Sequence, residues 1–342
     1  MYTYIGCRTT KERNARGRGI RIFDVNETWV SNNIISTFDN PSYLITDNSK
    51  KFIYAVHGDF DKVSSFKIED DGNLTFLNMV NSTGKNPVYM VCSKDNHFVF
   101  VATLQGGTIA TLPRLDDGSL GEAIHIYHLE GIIPDGVSHA HQCILDKSGK
   151  YLLVPTQGRG VGYERIWCFS IDSKTGQLEL VSTVDAPQGS EPRHLVITND
   201  NKRVYCINEK GNYVSYYDFD SDTGTLSLQQ EVSSLPVGYT GKGQASAIIL
   251  SQEENHLYVT NRLHDSITTY RIDTISGTLE FVDNIPTGNT PRFAMMSPEG
   301  DKIWVANEDS DSIQLFTINC DGTLSLKENP IKAESPTCIL PV

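Results

Sequence analysis

The stretch NPSYLITDNSKKFIYAV, residues 40–56, runs from an apolar segment through a polar turn into an apolar-aromatic segment, the layout of a β-hairpin. The layout returns along the chain. The copies are NPVYMVCSKDNHFVFVA from Asn86, AHQCILDKSGKYLLVPT from Ala140, EPRHLVITNDNKRVYCI from Glu191, GQASAIILSQEENHLYV from Gly243, TPRFAMMSPEGDKIWVA from Thr290 and a truncated SPTCILPV from Ser335. Pro41, Pro87, Ala140, Pro192, Ala245, Pro291 and Pro336 fall in one column, with spacings of 46, 53, 52, 53, 46 and 45 residues. A period of that size fits four strands per repeated unit.

The rest of each unit supplies the other two strands. A third strand alternates, as in YVSYYDFD, and a fourth follows, as in LSLQQEV. They are joined by DDGNL, DDGSL, KTGQL, DTGTL, ISGTL and CDGTL, with glycine third each time, where a tight hairpin demands a positive φ. Helical periodicity is absent at useful length. The last copy has nothing after it, but the N-terminus offers TYIGC, RGIRIFDV and VSNNIIST as second, third and fourth strands. The C-terminal strand therefore completes the N-terminal blade, closing the ring without open edges. The sequence predicts an all-β fold: residues 1–342 form a single seven-bladed β-propeller domain with four antiparallel strands per blade. Neither Trp-Asp dipeptides nor kelch-type Gly-Gly signatures mark it as one of the common interaction propellers.

Bulk properties narrow the function. The composition is ordinary for a folded soluble chain, with 39% hydrophobic and 21% charged residues. A formal charge of −13 argues against a nucleic-acid partner, which would need clustered Lys and Arg. Only Arg8, Lys11, Arg13, Arg16 and Arg18 lie close together, and they read as a solvated loop. No apolar run reaches membrane-spanning length, so no membrane partner is expected, and MYTYIGCRTT lacks a secretory layout. The expected location is cytoplasmic. The seven cysteines are scattered without a CxxC, suggesting small buried residues rather than a disulfide framework or a metal site.

In a propeller the first strand of each blade lines the channel and the second returns beside it. The first residue after the column and the residue just past the second strand therefore share one mouth. These pairs are Ser42 and Gly58, Val88 and Leu104, His141 and Gln157, Arg193 and Glu209, Ser246 and Arg262, Arg292 and Glu308, each 16 apart, with Thr337 and Arg8 in the split blade. Blades two and three offer small or apolar groups. The others gather Arg8, His141, Arg193, Glu209, Arg262, Arg292 and Glu308 around one hole, with Gln157 beside them. Arg193 with Glu209, and Arg292 with Glu308, can be read as structural salt bridges within a blade. Arg262 and His141 have no acid in their own blades, and guanidinium forks in excess suit a carboxylate or phosphate guest. His141 lies in the mouth column and His139 does not, and alternation turns His194 into its blade as a packed or hydrogen-bonded histidine. No metal site is indicated at this cationic mouth.

The order HAHQ, EPRHLV, INE, TNRLHDSI and TPRFAMMSPEGDKIWVANEDSDSI resembles the lactonase-type seven-bladed propellers, which include bacterial 6-phosphogluconolactonases and the fungal carboxy-muconate cyclase. The likeness runs along essentially the whole chain. It implies an active site at His141, Arg193, Glu209 and Arg262, four positions also reached by register. Two segments depart from the family pattern: VPTQGRGVGYERIWCF carries an insertion at residues 157–163, and CRTTKERNARGRG replaces small residues at 8–18. The expected chemistry is hydrolysis of a sugar-acid lactone. His141 is the first choice for proton transfer, assisted or oriented by Glu209, with Arg193 and Arg262 on developing charge. Arg292, Arg8, Glu308 and Gln157 complete the expected substrate contacts. A muconate-type lactonising cycloisomerase, acting on a polycarboxylate, and a non-catalytic ligand-binding propeller use the same residues and stay open. No cofactor is called for, and the expected partner is a small anionic lactone or polycarboxylate.

Overall fold

Seven antiparallel sheets carry the chain, and the computed structural model describes residues 1–26, 28–326 and 329–342. Blade one is the split blade: Tyr2–Cys7, Ile20–Val25 and Trp29–Ile35, closed on the inside by Pro336–Pro341. Thr3, Tyr4 and Ile5 pair with Pro341, Leu340 and Ile339, so backbone hydrogen bonds join the two ends as predicted. Pro41–Thr46, Pro87–Cys92, Pro192–Ile197, Gln244–Leu250 and Pro291–Met296 are the innermost strands of blades two, three, five, six and seven. In blade four the inner strand is broken into His139–Ala140 and Ile144–Leu145, both paired with Tyr151–Gln157. Lys11–Arg13 is a short 3-10 turn, and among the described residues no helix is long and apolar enough to cross a membrane.

The buried apolar residues form seven clusters, and each straddles two neighbouring blades. Phe98 and Phe100 of blade three meet Trp167 and Phe169 of blade four, and Ile5 and Phe23 of blade one meet Trp304 and Ala306 of blade seven. Burying side chains of this size contributes about 1.5–3 kcal/mol each, so the stabilising surface of a blade exists only beside its neighbours. The repeated turn glycines serve that contact as well as their own hairpin. Gly72, Gly118, Gly176, Gly224, Gly277 and Gly322 all have φ between 69° and 85°. Tyr4, Tyr205 and Tyr258 each donate a hydroxyl hydrogen bond to such a turn of the following blade, at Gly72, Gly277 and Gly322.

One irregularity recurs in all seven blades and decides what faces the channel. The inner ladder passes from Pro41 to Tyr43, from Pro87 to Tyr89, from Pro192 to His194, from Pro291 to Phe293 and from Pro336 to Cys338, skipping one residue each time. In blades four and six it breaks after Ala140 and Ala245 and resumes at Ile144 and Ile248, again with one residue in excess. A β-bulge leaves its extra residue unpaired and re-aims the side chains there. The bulged positions are the mouth column read from the sequence. In five blades a non-glycine residue with left-handed φ precedes the bulge: Asn40, Asn86, Glu191, Thr290 and Ser335. That conformation is easy for Asn and costly for β-branched Thr290.

Candidate active site

Glu209, just past the second strand of blade five, is the hub. Its Oε1 accepts a hydrogen bond from Gln244 Nε2 at 2.7 Å and lies 3.1 Å from Arg262 Nη2. Its Oε2 accepts from Gln157 Nε2 at 2.9 Å and lies 3.2 Å from Arg193 Nε, an ion-pair distance without hydrogen-bond alignment. The two guanidinium groups are fixed from behind by carbonyls, Arg193 Nη1 on Ser246 O at 2.6 Å and Arg262 Nη2 on Ala245 O at 3.2 Å. Three blades thus converge on one carboxylate that is 7% exposed. His141 approaches it too: its Nε2 is 3.9 Å from Glu209 Oε2, while its Nδ1 is buried without a hydrogen-bond partner among the described residues.

Arg8, Ser42, Val88, His141, Arg193, Arg292 and Thr337 line a chamber of about 30 Å³ under this hub. That is room for a single small group such as a water or a carbonyl oxygen. Gly58 makes space on its far side, since a Cβ there would stand 2.8 Å from Arg8 Nη1. All eight expected residues are therefore gathered at one mouth, Glu308 through its 3.3 Å contact with Arg292.

Two expectations change. Arg262 does have an acid, because Glu209 reaches across the blade boundary, and Arg8 has Asp59 at 2.9 Å. The cationic excess is thus smaller than the within-blade pairing suggested. His194 faces the channel instead of its blade, because the bulge at Arg193 breaks alternation. Its ring meets His141 at 5.1 Å and Tyr89 at 5.5 Å, and its Nδ1 lies 3.2 Å from Arg193 Nη1. Tyr43, Tyr89, His194 and Phe293, each one place beyond a bulged residue, form an aromatic septum, with Tyr43 and Tyr89 stacked at 4.1 Å. A larger cavity of about 480 Å³ borders Tyr43, Tyr89, His194 and Phe293 and runs on past Val196, Ile248 and Met295, away from the charged hub. His139 Nδ1 donates to Leu104 O at 2.7 Å, and the side chain stays outside the hub.

Charge and burial set the protonation states. Burial draws the His141 imidazole well below its ordinary value, and Arg193, Arg292, Arg159 and Arg262 draw it further. Burial alone would raise the Glu209 carboxyl, but Arg262, Arg193, the Gln157 hydrogen bond and Arg292 outweigh it and hold it far below the carboxylate range. Burial and neighbouring cations lower Arg193 and Arg262, with Glu209 opposing, yet guanidinium groups stay charged. At neutral pH the site is a neutral imidazole beside an ionised, fully occupied carboxylate. The 3.9 Å approach becomes an ion pair only when His141 takes a proton.

Sequence reasoning missed Gln244, Asp59 and Arg159. Gln244 opens the inner strand of blade six, directly opposite Arg262 in the ladder, and strand pairing could have found it. Asp59 follows Gly58 and binds both Arg8 and Arg13, the latter tying the basic 8–18 loop to the mouth. Arg16 ties that loop's other side to Asp311 at 2.7 Å. Arg159 stands in the insertion, where no other blade offers a template. Among the described residues no group of three His, Cys, Asp or Glu side chains is placed to hold a metal ion.

Comparison with known proteins places this geometry in context. A family model described as "Lactonase, 7-bladed beta-propeller" matches residues 2–341. The 6-phosphogluconolactonase of Bacillus subtilis strain 168 is 26% identical over 308 residues, covering 88% of this chain and 86% of its own. Among solved structures, a Bacteroides fragilis protein proposed to be a 6-phosphogluconolactonase aligns with a TM-score of 0.88 at 29% identity, covering 99% of this chain and 96% of that one. The periplasmic gluconolactonase PpgL of Pseudomonas aeruginosa aligns with the same TM-score of 0.88 at 25% identity, covering 99% and 98%. With its ring, its split blade and nearly its whole length matched, the chain belongs to the seven-bladed β-propeller lactonase family.

Proposed function

We propose that this protein hydrolyses a sugar-acid lactone bearing a negative charge, in the manner of a 6-phosphogluconolactonase. One observation carries the reading: His141 stands beside a carboxylate whose oxygens are already taken by two guanidinium groups and two amides. Such a carboxylate is a poor base but a good stabiliser of imidazolium. His141 Nε2 takes a proton from water as the water oxygen bonds to the lactone carbonyl carbon. Arg193 and Arg262 hold the carbonyl oxygen as it becomes an oxyanion, and Arg8 and Arg292 add positive potential around the chamber. The ring C–O bond then breaks, and the departing oxygen takes the proton back from Nε2, leaving the open hydroxy acid. Glu209 positions both arginines and steadies the imidazolium. Gln157 and Glu308 hold Glu209 and Arg292 in place.

The names carried by the Bacillus and Pseudomonas relatives support hydrolysis of this class of substrate. The test is a panel of sugar-acid δ-lactones with and without a 6-phosphate, followed by acid release. Opening well above the spontaneous rate is expected, with Arg193→Ala losing about 10²–10³ of it. No acceleration of any lactone would remove the proposal. A muconate absorbance change in its place would turn the reading to cycloisomerisation.

A further inference from the structure

The mouth has five arginines around the hub, and four of them face a carboxylate. Arg193 and Arg262 share Glu209, Arg8 has Asp59 and Arg292 has Glu308. Arg159 is different. Its Nε and Nη2 both donate to the amide oxygen of Gln157, at 3.1 and 2.7 Å, and its guanidinium has no carboxylate partner among the described residues. It is also the most exposed of the five in kind, lying on the solvent side of a strap at residues 158–162.

The strap is built to hold that side chain still. Arg159 takes a left-handed backbone, φ 49°, and its amide donates at 3.0 Å to Oε1 of Glu191, a residue only 4% exposed. Gly162 donates back to Gly158 O at 2.7 Å, and Ile132 of the preceding loop donates to Val161 O at 3.0 Å. A non-glycine residue in left-handed conformation persists where its surroundings impose it. The guanidinium so fixed stands one amide from Glu209 and close enough to His141 to bear on its protonation.

We propose that Arg159 is the residue that reads the substrate's distal anionic group, and that the group it prefers is a phosphate. This rests on the lactonase reading above. A guest anion at Arg8 or Arg292 must compete with a carboxylate already in place, whereas at Arg159 it replaces one neutral amide oxygen. A two-pronged bond to phosphate adds attraction between two full charges, where the amide oxygen it displaces offers the guanidinium only a dipole. Released from Arg159, the Gln157 side chain keeps its amide on Glu209, so anion binding and the hub stay connected. The reacting carbonyl lies over the chamber below, and the strap offers its charge from the rim, the arrangement that a lactone ring with a charged tail requires.

The experiment compares kcat/KM for a δ-lactone with and without a phosphate on its distal carbon, in wild type, Arg159→Gln and Arg159→Lys. The ratio of phosphorylated to unphosphorylated substrate is expected to fall at least tenfold in Arg159→Gln, chiefly through KM, and to recover in part in Arg159→Lys. An unchanged ratio with both lactones still opened overturns the role of Arg159 and leaves the lactonase reading standing. If wild type opens neither lactone, the lactonase reading fails, and calorimetric titration with inorganic phosphate decides the anion site by itself. There, weaker binding to Arg159→Gln than to wild type supports the site, and equal binding, or none to either, overturns it. A thermal melt of each variant confirms that the strap substitution leaves the ring folded.

Discussion

Blades two and three share their backbone with blades four to six and share almost none of their mouth chemistry. Each inner strand has the same bulge, and Asn40 and Asn86 take the same left-handed turn as Glu191. Yet the bulged residues are Ser42 and Val88 on one side of the ring and His141, Arg193 and Ser246 on the other. The bulge is therefore architecture, present whether or not chemistry uses it. What sets that half of the rim apart is the convergence of Gln157, Arg193, Gln244 and Arg262 on the one buried carboxylate of Glu209. On the quiet side, Gly58 serves by being small, admitting the Arg8 guanidinium.

The largest effect expected from that contrast is at Glu209. Removing it leaves two buried guanidinium groups, 3% and 8% exposed, without their counter-charge, and Glu209→Ala should cost about 3–5 kcal/mol in denaturant unfolding. The equivalent residue two blades on, Glu308, pairs with a partly exposed Arg292, and Glu308→Ala should cost less than about 1 kcal/mol. Equal costs would mean that the hub is no more buried in solution than the rim. Next is His141→Ala, which should lower lactone turnover by about 10²–10⁴ while the fold melts normally. Adding Val88→His to that variant puts a histidine at the same bulge in blade three and should restore nothing, since Leu104 stands where the hub's Gln157 would be. Recovery would show that the position alone suffices.

The sequence was informative where the cause is local or periodic. Turn glycines, the hairpin repeat and the ring closure each follow from neighbours in the chain, and the 16-residue offset follows from hairpin register. What stayed hidden crosses between blades. The Gln157 to Glu209 and Arg8 to Asp59 contacts join residues 52 and 51 apart, close to one blade period, and within-blade pairing cannot see them. The bulge was hidden too, because one extra residue in a ladder has no residue type of its own. His194 was misplaced for that reason. Arg159 lies in an insertion that the repeat does not cover.

The pH dependence sharpens the contrast at smaller scale. As the proposed base His141 must be neutral, and its folded-state pKa is lowered by burial and then by Arg193, Arg292, Arg159 and Arg262. Activity should therefore persist below the ordinary histidine value of about 6.5 and disappear only as pH falls through the depressed value. Stability has the same sign: the unfolded chain binds the proton more readily, so the fold loses stability as pH drops below that ordinary value. Arg292→Gln removes one of the named cations and should move the acidic limb of kcat/KM upward. A wild-type limb at or above 6.5 would show that His141 is hydrated in solution, or is not the base.

The smallest effect separates two serines at the same bulge. Ser246 Oγ donates to the carbonyl of Arg292 at 2.8 Å, joining blades six and seven beside the Glu209 hub. Among the described residues Ser42 Oγ has no hydrogen-bond partner, although its own carbonyl accepts one from Thr337 Oγ1 at 2.8 Å. Ser246→Ala leaves a carbonyl at a blade boundary without its donor and should cost about 1 kcal/mol, whereas Ser42→Ala should be close to neutral. Both can be read from urea midpoints at constant slope. If Ser42→Ala proved the costlier of the two, the quiet half of the mouth would carry a hydroxyl contact of its own, and the division between architecture and chemistry drawn around the ring would have to move by one blade.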